Sequence, residues 1–245
     1  MRGAEMTVKT LLLVDDEEML RETIADTLEL ESYRVIQADC GESAVKVLET
    51  EDVDLVLSDM MMPNGNGAFV MESMRAKHYS KPALLFITGH SDLPLDETFH
   101  LGADGILKKP IKMNKLFEDI AALLLPYDER YAKPQELEVI DRLEIVMPEG
   151  VGLGDQNNFI NVGRGGMFVR SDDPKALGFV EFSLNVQGRS VRGQGELCWV
   201  RAPGNNDDPG YGLKFIYLED SGRQFLIDHL KGIQKSACIP LNLSV

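Results

Sequence analysis

Five polar side chains, each following a short apolar run, could do chemistry together: Asp15 and Asp16 after 10–14, Asp59 after 53–57, Thr88 after 83–87, and Lys109 after 105–107. Two like charges about 4 Å apart repel by roughly 1 to 4 kcal/mol between water and a protein surface, so three ionised carboxylates in one place want a cation. An all-oxygen, hydrated site suits Mg2+, which takes one or two carboxylates, waters and a substrate phosphate. Asp59 could then act as a carboxylate nucleophile towards phosphorus and become an aspartyl phosphate. Lys109 would neutralise one phosphoryl oxygen and the Thr88 hydroxyl would donate to another. Positioning and charge neutralisation are most of what phosphoryl transfer asks of a protein.

Groups spread from residue 15 to residue 109 meet only if the apolar runs are strands of one sheet. Short continuous apolar runs separated by helical patterns indicate a parallel sheet covered on both faces. Its strands end along one edge, outside which ligands of open α/β sheets sit. The pattern at 17–30 places Leu20, Ile24 and Leu28 four apart on one helical face. Further helices are expected at 43–49, 67–78, 91–101 and 114–125, and another strand at 34–38. Five strands alternating with five helices make an α/β doubly wound, five-stranded parallel sheet. Each residue also has a plainer reading. Asp15 and Asp16 could simply cap the helix that follows. Thr88 could be an ordinary strand end, and Asp59 with Pro63, Gly65 and Gly67 a strand running into a turn.

Four motifs occur in order: Leu13-Val14-Asp15-Asp16, Asp59-x-x-Met62-Pro63-x-x-x-Gly67, Phe86-Ile87-Thr88-Gly89 and Gly102-Ala103-Asp104-Gly105-x-x-Lys108-Lys109-Pro110. With them, about residues 7 to 125 resemble the receiver domain of two-component response regulators, a flavodoxin-like fold. The resemblance implies that Asp59 is the phosphoacceptor and that Asp16 and Asp59 ligate Mg2+ with the Met61 carbonyl, Asp15 acting largely through water. It implies that Thr88 and Lys109 bind the phosphoryl group, Lys109 rather than Lys108 because it adjoins Pro110. It also implies a sensor histidine kinase as partner and a homodimer through the last helices of two receivers, with no residue here that fixes the surface. Ile106 stands where the family usually carries Tyr or Phe, so rotation of an aromatic ring there is not open to this chain.

At 245 residues two domains are expected, at 1–125 and 138–245, joined by a linker at 126–137 that carries two prolines and several charges. Residues 1–125 hold 12 Lys+Arg against 23 Asp+Glu, and the rest 13 against 17, within a net charge of −15. A duplex-binding protein shows a basic face, and neither half offers one, so no nucleic acid is expected as a partner. The opening nine residues are too polar for a secretion signal and no run reaches the length of a membrane span, so a cytoplasmic protein without membrane insertion is expected. Cys40, Cys198 and Cys238 are odd in number and far apart, which suggests neither a disulfide framework nor a zinc site. The four histidines, His78, His90, His100 and His229, lack a metal spacing. Outside the aspartate pocket no convergent acid, base and nucleophile can be picked out. A phosphoacceptor switch is therefore expected rather than an enzyme with turnover.

The second half changes character. Strands are expected at 143–147, 158–162, 167–170, 179–184, 191–201 and 211–218, separated by Gly- and Asn-rich turns and followed by a helix at 222–231. Closure into a small six-stranded antiparallel β-barrel would remove the sheet edges. About residues 136 to 235 resemble the PilZ domain, a family that binds cyclic di-GMP. The likeness rests on Asn161-Val162-Gly163-Arg164-Gly165-Gly166-Met167-Phe168-Val169, on Gly195-Glu196-Leu197-Cys198-Trp199-Val200 and on Gly210-Tyr211-Gly212-Leu213-Lys214-Phe215. The family's nucleotide pattern is Arg-x-x-x-Arg, then Asp/Asn-x-Ser-x-x-Gly. Here Asn161 and Gly166 fit, Gly163 replaces the serine, and Arg142 has no second arginine four residues away. Two arginines can both fork onto phosphate and stack on a base, which Arg142 alone cannot do. Residues 163–166 also read simply as a turn. The expected function is a response regulator that signals through a PilZ-like module with a degenerate nucleotide site, by binding an unidentified protein. The alternative is a cyclic di-GMP effector that integrates phosphorylation with the second messenger.

Overall fold

The structure, a computed structural model, describes residues 8–77, 82–89, 104–126, 129–148, 153, 160–163, 165–173, 175–186, 188–201 and 209–231. They fall into two compact units that divide within the helix at 113–124.

The N-terminal sheet holds β1 (Thr10–Val14), β2 (Arg34–Ala38), β3 (Leu55–Asp59), β4 (Ala83–Thr88) and β5 (Gly105–Lys108), in the order β2-β1-β3-β4-β5. The β1–β2, β1–β3 and β3–β4 pairings are parallel. Every residue of β1, β3 and β4 is buried, as covered central strands require, whereas the edge strand β2 is partly exposed and tolerates Arg34 and Gln37. Among the described residues four helices accompany these strands: α1 (Glu18–Leu30), α2 (Gly41–Thr50), α3 (Gly67–Lys77) and α4 (Met113–Leu124). The inward face of α1 buries Ile24, Ala25 and Leu28. Ile24 and Leu28 each contribute roughly 1.5 to 3 kcal/mol on full burial. The helix expected at 91–101 lies outside the described residues.

Strand β3 starts later and runs further than the apolar run implied. Asp54 closes its beginning, because its carboxylate accepts from the Thr10 N–H at 2.9 Å and from Lys9 Nζ at 2.9 Å. At the other end Asp59 still pairs with Ile87, so the acidic residue is the last of the strand rather than the first of a loop. Strand order switches sides between β1 and β3, with β2 added beyond β1 and β4 and β5 beyond β3, and the ends of these two parallel strands frame the crevice of an open α/β sheet.

The C-terminal sheet holds β6 (Val139–Val146), β7 (Ile160–Val162), β8 (Gly166–Arg170), β9 (Gly178–Val186), β10 (Arg189–Arg201) and β11 (Gly210–Leu218), followed by α5 (Asp220–Lys231). The order is β6-β9-β10-β11-β8-β7. This corrects the expected all-antiparallel barrel: β6 runs parallel to β9, so the sheet is mixed. Alternation in a sequence marks a strand but not its direction, and the long connection through β7 and β8 leaves room for parallel pairing. Among the described residues no pairing joins β6 to β7, so closure of the sheet is not seen. The core gathers Leu143, Val180, Phe182, Leu213, Phe215 and Leu226, with the Phe182 and Phe215 rings stacked at 5.8 Å. Part of the expected linker belongs to this unit. The Tyr131 ring packs edge-on against Phe215 at 5.8 Å, and the Tyr131 carbonyl accepts from the Leu218 N–H at 2.9 Å.

Candidate functional site

The pocket is built by strand ends. Val14 pairs with Ser58, so Asp15 and Asp59 follow them side by side. Both are buried, Asp15 at 1% exposure and Asp59 at 7%. The third contributor is Lys109, one residue beyond β5, whose N–H donates to the Thr88 carbonyl at 2.8 Å and so ties it to the end of β4. Its Nζ donates to Asp59 Oδ2 at 2.6 Å, to Asp15 Oδ2 at 3.0 Å and to Glu17 Oε1 at 3.1 Å.

The remaining carboxylate oxygens are held by backbone. Asp59 Oδ1 accepts from the Met61 N–H at 3.0 Å, and Asp15 Oδ1 from the Glu17 N–H at 2.8 Å. Arg21 Nη1 donates to the Asp15 carbonyl at 2.6 Å and fixes the turn into α1. Burial pushes the Asp15 carboxyl above its ordinary value, more than the Glu17 N–H and the Lys109 ammonium pull it down. At Lys109 burial opposes the charge, yet hydrogen bonds to Asp59 and Asp15 overcome it and raise the ammonium above its ordinary 10.5.

Carboxylate oxygens of Asp15, Glu17 and Asp59 lie within 4.8 Å of one another. Three hard oxygen donors around one point fit a small divalent cation such as Mg2+, and one ammonium leaves their charge incompletely balanced. Of the residues singled out from the sequence, the structure therefore brings together Asp15, Asp59 and Lys109, with Thr88 buried at the end of β4. Asp16 is exposed and outside the group of three, which Glu17 joins. The only signal for Glu17 was a carboxylate at the head of a helix directly after a strand end. The Met61 side chain is 53% exposed, and Ile106 is buried in β5.

In the C-terminal sheet the nucleotide-site candidates lie on different strands. Arg142 lies on β6, 82% exposed in its side chain and paired to Glu181 at 2.9 Å. Asn161 lies on β7, at the other end of the strand order, and the Gly163 N–H donates to the Gly166 carbonyl at 2.9 Å to close a turn.

A protein-family model described as the response regulator receiver domain matches residues 11–121. Residues 11–121 are a response regulator receiver domain. The transcriptional regulatory protein CpxR of Escherichia coli K12 is 36% identical over 114 residues, which are 46% of this chain and 48% of that protein. The alkaline phosphatase synthesis transcriptional regulatory protein PhoP of Bacillus subtilis is 33% identical over 116 residues, 47% of this chain and 48% of that one. The chain thus spans about half the length of these curated relatives. Among solved structures, the response regulator protein TrrA of Thermotoga maritima, in complex with Mg(2+)-BeF, is 30% identical with a TM-score of 0.45, covering 48% of this chain and 100% of that one. In this receiver domain the acidic group of three is consistent with Mg2+ binding. No helix among the described residues is long and apolar enough to cross a membrane.

Proposed function

We propose that the chain is a two-component response regulator whose receiver domain accepts a phosphoryl group on Asp59 from a histidine kinase. The observation that carries this reading is the Asp59 carboxylate itself, buried at a strand end with Oδ1 held by the Met61 N–H and Oδ2 against the Lys109 ammonium at 2.6 Å. Its orientation is fixed before reaction, which lowers the entropy lost on reaching an in-line geometry. A carboxylate oxygen attacks phosphorus, the phosphorus–nitrogen bond of the donor phosphohistidine breaks, and the pair of electrons leaves with the imidazole. Lys109, released from Asp59, would follow the negative charge onto a phosphoryl oxygen, and the Thr88 hydroxyl would donate to another. Asp15, Glu17 and Asp59 would hold Mg2+, which supplies neutralisation of the incoming oxygens; Asp16 and the Met61 carbonyl are the further ligands proposed from the receiver resemblance.

The output half we read as PilZ-like, on its sequence motifs and its sheet followed by a helix, and as a protein-binding module rather than a nucleotide receptor. The absence of a second arginine four residues from Arg142 supports that preference. Acetyl phosphate with Mg2+ is expected to phosphorylate the full chain, and Asp59→Asn or chelation of the metal to abolish the label in intact-mass spectra. Labelling that survives in a folded Asp59→Asn protein would move the acceptor elsewhere.

A further inference from the structure

We infer that a second copy of this chain pairs with the first along the open edge of β6, antiparallel about a two-fold axis at Leu143. Among the described residues β6 has one hydrogen-bonded neighbour, β9. The Met147 N–H, just beyond the strand, donates to the Asn185 carbonyl of β9 at 3.2 Å. Backbone direction alternates along a strand, so the polar groups of Ile145 and Leu143 turn towards β9 as well, and those of Arg142, Glu144 and Val146 turn to the open edge. The Arg142 N–H accordingly bonds to Asp141 Oδ1 at 2.8 Å. Leu143 and Ile145 point into the core, while Arg142 and Glu144 are exposed. Val146 is 64% exposed, and Ile140, beside the bulge between Val139 and Asp141, is 50% exposed.

An open strand edge is a template for another strand, and charged side chains on it commonly act as guards. Here their order makes them selective instead. Two copies must match edge-facing residues with edge-facing residues, which leaves three central registers: Arg142 opposite Arg142, Glu144 opposite Glu144, or Arg142 opposite Glu144. The first two oppose like charges; the third forms two opposite-charge pairs, one on each side of the axis. In that register Leu143 faces Leu143, and Val146 faces Ile140 of the second copy at both ends. The sequence Ile140, Arg142, Glu144, Val146 is thus complementary to its own reverse, as an isologous two-fold interface demands. The Arg142–Glu181 ion pair is largely solvated, so sharing Arg142 costs little.

The test uses the full chain carrying Glu181→Gln, so that Arg142→Glu does not meet the carboxylate that pairs with Arg142 on the neighbouring strand. Sedimentation equilibrium is expected to show a dimer for this parent. Glu144→Arg and Arg142→Glu, each added singly and shown folded by circular dichroism, are expected to weaken self-association at least tenfold. Their equimolar mixture is expected to recover the dimer, because two positive positions then face two negative ones. A parent that stays monomeric overturns the inference. So does Glu144→Arg with undiminished dimerisation, which would place the interface elsewhere, or a mixture that stays monomeric, which would refute this register.

Discussion

At the scale of single residues, the pocket is a problem of one cation and three anions. Lys109 touches Asp15, Glu17 and Asp59, and burial already pushes the Asp15 carboxyl towards its protonated form. A second cation relieves what one ammonium cannot. Next to the acceptor stands Met61, whose N–H holds Asp59 and whose side chain is half in solvent and apolar. It can neither orient nor polarise an attacking water. A side-chain amide there would add a hydrogen bond of about 1 kcal/mol to the hydrolytic transition state, roughly a five- to tenfold rate change. Met61→Asn is therefore expected to shorten the lifetime of the phosphorylated chain by that factor, followed by decay of the intact-mass signal. An unchanged or longer lifetime would show that the side chain at 61 does not limit water attack.

At the scale of elements, the turn that leaves β3 decides where the acceptor sits. Asn64 and Gly65 take positive φ, 58° and 95°, and the Gly41 N–H donates to the Gly65 carbonyl at 2.9 Å, which ties the turn to the start of α2. Gly67 opens α3 under a different constraint. A Cβ there would lie 2.7 Å from the Asp59 carbonyl oxygen and 2.7 Å from the Phe86 ring, so what the position demands is space. Gly67→Ala is expected to cost about 2 kcal/mol by forcing the acceptor strand and α3 apart, measured by urea unfolding. Stability equal to that of the parent would mean that the turn yields without strain. The motif glycine was legible in the sequence; its reason was not, because the contact joins α3 to β3 and to a ring from β4.

At the scale of the whole molecule, net charge and pH act through the same pocket. The chain carries a net charge of −15, and Lys109 is a partly buried positive centre within it, its side chain 17% exposed. An ammonium whose folded pKa lies above its unfolded 10.5 contributes stability that is fully present below 10.5 and lost as pH rises through the folded value. Lys109→Met is therefore expected to melt well below the parent at neutral pH. The gap should hold constant up to about the ordinary lysine value and narrow only beyond it. A gap that closes between neutrality and 10.5 would show that the fold does not favour the charged form.

The positions of the chemical groups were readable from the chain alone. Fully buried parallel strands are short apolar runs, a local signal, and doubly wound topology sends their ends to one edge, so Asp15, Asp59, Thr88 and Lys109 could be placed together without coordinates. The boundaries of β1 and β2 were legible for the same reason. Which neighbour of Asp15 joins the pocket was decided only in three dimensions. Side-chain direction beyond a strand depends on the turn that follows, and here Glu17, itself exposed, reaches the Lys109 ammonium while Asp16 lies outside the group of three. Tertiary structure likewise set β6 parallel to β9 and left its far edge open among the described residues, because pairing direction depends on contacts between segments that alternation along one strand cannot encode.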